Sequence, residues 1–221
     1  MGNRLQSVIS DWPKPMVEVN HRPFLDVLVD YFAEFGFRRF VLCVGHMSEV
    51  IRNYYSCKAG PLEFVISDEQ FPLGTAGSVK NAENFIQSDP FIVTNGDSFC
   101  AVNLTQFCDF HLTKKCLMSM VVVESENSAD CGLVSVDNLN RIVGFEEKRQ
   151  KQGYGHINAG IYLFRNDILS FIPPDTKYSL EHDLFPKLIN QDSYAFVCRE
   201  KLIDIGTPER LELAKNFFSP M

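Results

Sequence analysis

The sequence alternates between short apolar runs and segments with helical periodicity, and this alternation restricts the folds that are open to the chain. Residues 24–35 carry apolar side chains at helical spacing, and residues 40–44 follow as a continuous apolar run that is typical of a buried strand. A strand-length run at 91–94 is likewise followed by a helical segment at 104–113. Alternation of this kind predicts an α/β fold with a doubly wound, mostly parallel sheet.

The second half of the chain has a different pattern. Residues 132–136 and 141–146 are strand-like segments joined by Asp137-Asn138-Leu139-Asn140, a connection typical of a hairpin, and residues 157–164 form a longer strand-like run. We therefore expect a small antiparallel portion in addition to the parallel sheet. No repeat, low-complexity stretch or linker divides the chain, so the sequence predicts a single domain over residues 1–221.

The composition excludes several classes of protein. Hydrophobic residues make up 45% of the 221 residues and charged residues 22%, as in globular proteins and unlike disordered chains. A net charge of −7 argues against nucleic-acid or anionic-membrane binding, and no apolar run approaches the ~20 residues of a membrane span. The N-terminus is too polar for a secretory signal, and seven scattered cysteines favour reduced thiols in the cytoplasm.

Two segments near the N-terminus supply candidate phosphate ligands. Gly2 would let the backbone come close to phosphate groups, and Arg4 would supply positive charge for them. Lys14, which lies between two prolines, would add a second cation. The alternative is that Arg4 and Lys14 are ordinary solvated surface residues.

A second candidate segment is Pro72-Leu73-Gly74-Thr75-Ala76-Gly77, at the start of a predicted helix. Its small residues form a tight turn whose backbone amides could face an anion or a flat base. The alternative is a plain helix start with Thr75 as the capping residue.

Asp97 lies at the carboxyl end of an apolar, strand-like run, where ligands bind in open α/β sheets, and Asp204 lies within another such run. Asp97 ends the segment Asn95-Gly96-Asp97, and its carboxylate is suited to Mg²⁺, which takes oxygen ligands together with substrate phosphates. The alternative for Asp97 is a turn stabilised by its own side chain. Asp204 lies among apolar neighbours, where an unpaired carboxylate is costly, so it needs a partner. A metal ion shared with Asp97 is one candidate for that partner.

Further polar residues lie between these two aspartates. Lys148, which follows Glu147 after a strand-like run, could hold a phosphate, whereas Asn158 and Gly160 could bind sugar hydroxyls. The alternatives are a solvated run of charges at Glu147 and Lys148, and a strand with a bulge at Asn158 and Gly160.

Seven short motifs follow one another along nearly the whole chain, and each of them is weak when taken alone. They are Gly-x-Arg-Leu, Pro-Lys-Pro, Leu-Gly-Thr-Ala-Gly, Asn-Gly-Asp, Glu-Lys, Asn-Ala-Gly-Ile-Tyr and Asp-Ile-Gly-Thr-Pro. Together and in this order they resemble the sugar-1-phosphate nucleotidyltransferases. Pro15-Met16, Val19-Asn20 and Pro23-Phe24-Leu25 are most similar to the guanylyltransferases that act on D-glycero-D-manno-heptose 1-phosphate and mannose 1-phosphate.

The resemblance implies a Rossmann-like, GT-A-like fold with a nucleotide-binding half at 1–125 and a sugar-binding half at 126–221. It also implies a role for each candidate residue. The catalytic residues would be Arg4, Lys14 and Asp97; the nucleotide ligands Gly2, Gly74, Thr75, Gly77 and Asn95; the sugar-phosphate ligands Glu147, Lys148, Asn158, Gly160 and Glu181; and the Mg²⁺ ligands Asp97 and Asp204.

The implied reaction joins an NTP, with GTP favoured, to a heptose or mannose 1-phosphate and releases pyrophosphate. The implied setting is nucleotide-sugar synthesis for cell-surface polysaccharide, in a monomer or a homodimer.

Two alternatives stay open: a thymidylyl- or uridylyltransferase for glucose 1-phosphate, and a catalytically impaired homologue that binds nucleotide sugars. A glycosyltransferase is less favoured, because Ser98 and Phe99 follow Asp97 where such enzymes carry a second aspartate.

The sequence departs from the family pattern at two places. The family motif is Gly-Gly-x-Gly-Thr-Arg-Leu after an apolar strand, whereas this sequence begins at Met1 within that motif and has Asn3 in place of the threonine. We therefore expect that the first strand and two glycines are missing and that the natural product carries further upstream residues ending in Gly-Gly. Arg149 stands where many members have proline after Glu-Lys.

Overall fold

A computed structural model describes residues 12–126, 132–146, 154–189 and 191–219. Gly2, Arg4, Glu147 and Lys148 lie outside these residues. The strands are β1 (Glu18–Val19), β2 (Arg22–Pro23), β3 (Arg39–Val44), β4 (Glu63–Asp68), β5 (Phe91–Thr94), β6 (Ser98–Cys100), β7 (Met118–Ser125), β8 (Leu133–Val136), β9 (Ile142–Glu146), β10 (Gly155–Phe164), β11 (Ser193–Cys198) and β12 (Leu202–Asp204). The helices are α1 (Phe24–Glu34), α2 (Ser48–Ser56), α3 (Gly74–Asn81), α4 (Leu104–Lys114), α5 (Phe185–Leu188) and α6 (Pro208–Phe217).

The chain folds into two compact units, and each unit is built from separate stretches of sequence. The first unit contains the described parts of Met1–Gln70, Asn95–Cys100 and Leu202–Met221, and the second contains those of Phe71–Thr94 and Ala101–Lys201. These stretches do not follow the division at residue 125 that the resemblance implies. The assignment of nucleotide binding and sugar binding to two halves of a single domain stays a prediction.

The first unit contains three strand pairs. β3 and β4 run parallel, β1 and β2 form an antiparallel hairpin, and β6 pairs antiparallel with β12. An apolar core packs between β3, β4 and the helices α1 and α2. Its buried members are Met16, Val29, Val44, Ile51 and Tyr55.

An aromatic cluster in the same unit supports β6. The ring centroid of Phe99 lies 5.0 Å from that of Tyr31 on α1 and 5.0 Å from that of Phe218, the residue that ends α6. Phe24, at the start of α1, meets Phe218 edge-on at 6.3 Å. Edge-to-face contacts of this kind are favourable for aromatic rings, so β6 is fixed against the two helices.

The second unit is organised around β10. β5, β7 and β11 share one direction, because β11 is parallel to β7 while β10 is antiparallel to both β7 and β5. The hairpin predicted from residues 132–146 is formed by β8 and β9, and β8 also pairs with β10. The α/β class and the antiparallel portion predicted from the sequence are therefore confirmed.

β10 changes its neighbour halfway along its length. Its first part pairs with β8 through His156 and Ile157, and its last part pairs with β5 from Ile161 to Phe164. On its other edge the register with β7 shifts between Asn158 and Tyr162. The irregular segment between the two parts, residues 158–160, is the Asn-Ala-Gly that begins Asn-Ala-Gly-Ile-Tyr, one of the seven motifs.

A buried histidine holds α4 against β7 in the second unit. His111 Nδ1 and Ser119 Oγ share a hydrogen bond of 2.8 Å, and the Cys116 Sγ lies 3.4 Å from the same nitrogen. The imidazole is 2% exposed. Burial, assisted by the positive charge of Arg165, lowers the pKa of His111 from 6.5 to about 4.

This histidine should make the protein less stable in mild acid. Below pH 6.5 the unfolded chain takes up a proton at His111, whereas the folded chain resists protonation until about pH 4, so stability falls through this window. We expect His111 to remove about 2 kcal/mol of unfolding free energy between pH 7 and pH 5. Urea unfolding at the two pH values should show that His111→Gln loses less stability than the wild type. Equal losses in the two proteins would contradict the assignment.

Candidate active site

Lys14 and Asp97 form an ion pair in the first unit. Lys14 begins a short helical turn, and Asp97 lies in the loop that leads from β5 into β6. The Lys14 Nζ lies 2.5 Å from Asp97 Oδ2, and both side chains are partly exposed. Gly96 allows the loop to approach the turn, because a Cβ there would lie 3.2 Å from Pro15 Cγ. Two of the three residues that the sequence analysis names as catalytic are therefore in contact.

Strand pairing brings Asp204 to the same loop. The antiparallel pairing of β12 with β6 sets Asp204 opposite Ser98, and the Ile205 amide donates to the Asp97 carbonyl oxygen at 3.1 Å. Ser98 directly follows Asp97 in the sequence. The two aspartates that are expected to bind Mg²⁺ thus come from adjoining ends of neighbouring strands.

Asp204 has a cationic partner of its own. The Arg210 Nη1 lies 3.1 Å from Oδ1 and 3.0 Å from Oδ2 of the Asp204 carboxylate. The Gly206 amide donates a further hydrogen bond of 2.8 Å to Oδ1. The prediction that Asp204 needs a partner is confirmed, and Arg210 is that partner within the part of the chain that the structure describes.

The sequence analysis missed Arg210, although the sequence contains a signal for it. Arg210 lies in the first turn of α6, where the helix dipole disfavours a cation. A carboxylate that faces such a cation offsets this unfavourable interaction, as Asp204 does here. Thr207 caps the start of α6, because its hydroxyl oxygen accepts a hydrogen bond from the Arg210 amide at 3.3 Å, and Pro208 occupies the first helical position.

Gly206 is the point around which these charges meet. A Cβ at Gly206 would lie 2.8 Å from Asp204 Oδ1, 3.6 Å from Lys14 Nζ and 3.9 Å from Arg210 Nη1. The glycine therefore makes room for two cations and a carboxylate within 4 Å of one position. We call Lys14, Asp97, Asp204 and Arg210 the charged quartet.

Asp97 and Asp204 of the charged quartet are suited to a divalent cation whose remaining ligands include substrate phosphates. Within the described ranges, no group of three or more histidine, cysteine, aspartate or glutamate residues is placed to bind a metal ion. Asp97 and Asp204 offer two carboxylates, and Mg²⁺ is commonly held by one or two carboxylates together with substrate phosphates. The donor set therefore fits Mg²⁺ bound jointly with a nucleotide.

The turn at Gly74 packs against the segment that precedes Leu180, within the second unit. A Cβ at Gly74 would lie 2.8 Å from the Tyr178 carbonyl oxygen, and one at Gly77 would lie 2.7 Å from the Thr176 carbonyl oxygen. The amides of Ala76 and Gly77 both donate to the Tyr178 oxygen at 3.0 Å. These two amides thus serve a protein contact, which differs from the expectation that they face an anion or a base.

Thr75 does not cap α3, because Leu73 occupies the capping position. Its hydroxyl oxygen accepts from the Leu180 amide at 2.7 Å and its hydroxyl group donates to Glu181 Oε2 at 2.9 Å. The Ser179 hydroxyl donates to the same Glu181 oxygen at 2.8 Å. Glu181, predicted as a sugar ligand, therefore ties Thr75 to the helical segment Leu180–Leu184. Its role toward a sugar, like the roles of Gly74, Thr75 and Gly77 toward a nucleotide, stays a prediction.

Asn158 and Gly160 form the bulge of β10. Gly160 has a positive φ of 74°, and its amide donates to Asn158 Oδ1 at 2.9 Å. The Asn158 Nδ2 donates to the Tyr162 hydroxyl oxygen at 2.7 Å. The bulged strand that the sequence analysis kept as an alternative is confirmed, and the sugar-binding roles of both residues stay predictions.

Asn95 lies two residues before Asp97 in the loop of the first unit and is half-buried. Its role in nucleotide binding stays a prediction. Gly2, Arg4, Glu147 and Lys148 have no structural account because they lie outside the described residues.

Gly74→Ala should destabilise the protein, because the new Cβ meets a backbone oxygen and the positive φ of 75° disfavours a side chain. We expect a loss of at least ~2 kcal/mol in unfolding free energy, measured by urea denaturation. Gly45→Ala is the matched control, since its nearest neighbour is the flexible Glu69 side chain at 3.4 Å. Equal stability of the two variants would show that the turn does not depend on the close approach.

Comparison with known proteins identifies relatives over the full length of the chain. The family described as nucleotidyl transferase matches residues 1–219. D-glycero-alpha-D-manno-heptose 1-phosphate guanylyltransferase from Campylobacter jejuni is 33% identical over 210 residues, which cover 95% of this chain and 92% of the relative. Mannose-1-phosphate guanylyltransferase from Mycobacterium tuberculosis is 30% identical, and its match covers 94% of this chain and 59% of the relative.

A solved structure has the same fold. HddC from Yersinia pseudotuberculosis, complexed with GMP-PN, superposes with a TM-score of 0.85 and 32% sequence identity. The match covers 98% of this chain and 94% of the solved chain. The fold expected from the seven motifs is therefore confirmed.

Proposed function

The chain belongs to the nucleotidyl transferase family, and from this premise we propose that it is a guanylyltransferase for a manno-configured sugar 1-phosphate. The reaction would join GTP to a heptose or mannose 1-phosphate and release pyrophosphate. The names of the Campylobacter and Mycobacterium relatives support this substrate class, and the GMP-PN complex of the Yersinia protein supports a guanine nucleotide. The charged quartet is the observation in this chain that carries the proposal.

The chemistry requires charge and position rather than a protein nucleophile. An oxygen of the sugar phosphate attacks the α-phosphorus of GTP, the bond from that phosphorus to the β-phosphate oxygen breaks, and pyrophosphate leaves with the electron pair. Lys14 would hold negative phosphate oxygens, because its ammonium group is partly exposed beside Asp97. Asp97 and Asp204 would hold Mg²⁺, which neutralises phosphate charge when it is bound.

The same residues favour an enzyme over a homologue that only binds nucleotide sugars. Lys14, Asp97 and Asp204 are all present, and Lys14 contacts Asp97 directly. Two neighbouring ion pairs are costly to assemble, since each charge must give up part of its water. A protein that only bound the sugar and base would not need this assembly.

The cellular location and the biosynthetic role of the protein are inferred from its substrates. GTP and sugar phosphates are water-soluble metabolites, so we place the protein in the cytoplasm and in the synthesis of nucleotide sugars for cell-surface polysaccharide. None of the helices in the described residues is both long enough and apolar enough to cross a membrane.

Asp97→Asn should lower the rate of pyrophosphate release with Mg²⁺ by at least ~100-fold, because it removes a charged ligand that acts on the transition state. Asp204→Asn should behave in the same way. Asp30→Asn is the control: it removes an exposed carboxylate that pairs with Arg22 on the surface of the same unit. Turnover near the wild-type rate in either site variant would refute the metal assignment.

The nucleotide preference can be tested in one competition experiment. With mannose 1-phosphate and Mg²⁺, we expect GTP to be consumed ahead of UTP and dTTP when the three are mixed at equal concentration. The products are identified by mass spectrometry. If UDP-sugar or dTDP-sugar dominates with glucose 1-phosphate in place of mannose 1-phosphate, the chain is a uridylyl- or thymidylyltransferase instead.

A further inference from the structure

The ion pair between Arg210 and Asp204 has a second cation beside it, which a purely structural ion pair does not need. We propose that Arg210 exchanges partners during the reaction: it holds Asp204 before a divalent cation binds and contacts substrate phosphates afterwards. This inference rests on the proposed function, because it assumes that Asp204 binds a metal ion and that phosphates enter the site. It assigns a role to a residue that none of the seven motifs contains.

Arg210 and a divalent cation compete for the Asp204 carboxylate. Its Oδ1 accepts from the Gly206 amide and from Arg210, so both lone pairs of that oxygen are used. Its Oδ2 also accepts from Arg210 at 3.0 Å. A divalent cation that binds this carboxylate must therefore displace Arg210 or lie next to it. Since two positive groups repel at such short range, metal binding weakens the hold of Asp204 on Arg210.

Once it is released from Asp204, the Arg210 guanidinium can reach a bound phosphate. The Arg210 side chain is 39% exposed, so it can move without leaving a cavity in the core. Its Nη1 and the Lys14 Nζ both lie within 4 Å of the position that a Gly206 Cβ would occupy. A phosphate that reaches Lys14 is therefore within reach of Arg210. The planar guanidinium binds phosphate oxygens in pairs, and Lys14 alone provides only a point charge.

The charges of the quartet also favour this exchange of partners. Among the described residues, Lys14 pairs with Asp97 and Arg210 pairs with Asp204. A divalent cation can replace both cations at the carboxylates. Lys14 and Arg210 are then available to the additional negative charges that the phosphates bring. A bound metal ion and bound phosphate should therefore stabilise each other through Arg210.

The test compares Arg210→Gln with Arg210→Lys and with a control on the same helix. The control is Lys215→Gln, which removes a cation paired with Glu212 at 2.6 Å, outside the charged quartet. Mn²⁺ binding to the free protein is measured by electron paramagnetic resonance. Pyrophosphate binding is measured by calorimetry at saturating Mn²⁺. Neither measurement requires turnover, and melting temperatures show whether each variant is folded.

We expect Arg210→Gln to bind Mn²⁺ about fivefold more tightly, because a competing cation has gone. The same variant should bind pyrophosphate ~10-fold more weakly, because a charged phosphate ligand has gone. Arg210→Lys should restore the charge and move both constants back toward the wild type, and Lys215→Gln should leave both unchanged. A structural ion pair would instead lower the melting temperature and leave pyrophosphate binding unchanged.

Unchanged or weaker Mn²⁺ binding in Arg210→Gln would overturn the proposal, and so would unchanged pyrophosphate binding. If the wild type binds Mn²⁺ neither alone nor together with pyrophosphate, both this inference and the metal assignment fail. If the wild type binds Mn²⁺ and pyrophosphate but transfers no nucleotide to any sugar phosphate, the proposed function fails, whereas the exchange at Arg210 is still decided by the binding constants.

Discussion

The antiparallel pairing of β6 with β12 is the interaction on which the site depends. It places the last residue of β12, Asp204, next to the loop that carries Asp97, although the two aspartates belong to widely separated parts of the sequence. The backbone bond from Ile205 to Asp97 fixes the register at this point. A shift of register by one residue would turn the Asp204 side chain to the other face of the pair and separate the carboxylates.

The aromatic cluster around Phe99 holds that strand pair in place. Phe99 lies on β6 two residues after Asp97 and packs edge-on against Tyr31 and Phe218. Phe218 ends the helix whose first turn carries Arg210. The apolar contacts of β6 and the charged contacts of Arg210 therefore fix the same helix at its two ends. Burial of apolar surface stabilises the position of charges that would not assemble by their own attraction in water.

Much of this arrangement could be predicted from the sequence, because local patterns report local structure. The hairpin of β8 and β9, the helix start at Thr207 and the need of Asp204 for a partner all follow from short stretches. Two contacts could not be predicted, because they join residues far apart in the chain. One is the packing of Gly74 against Tyr178. The other is the direct ion pair of Lys14 with Asp97: the resemblance implies that both residues serve one site, but the contact itself joins distant segments and leaves no local pattern.

The central claim is that strand pairing builds one phosphate-transfer site. The most direct test of this claim is a double-mutant cycle of Lys14→Met and Asp204→Asn, in which kcat/KM is measured for the wild type, both single variants and the double variant. The two side chains meet around Gly206, so they should act on the same phosphates. The account predicts that the double variant is much less impaired than the product of the two single losses, as found for residues that act as a unit. Losses that multiply would show that Lys14 and Asp204 act independently, and the single site described here would be wrong.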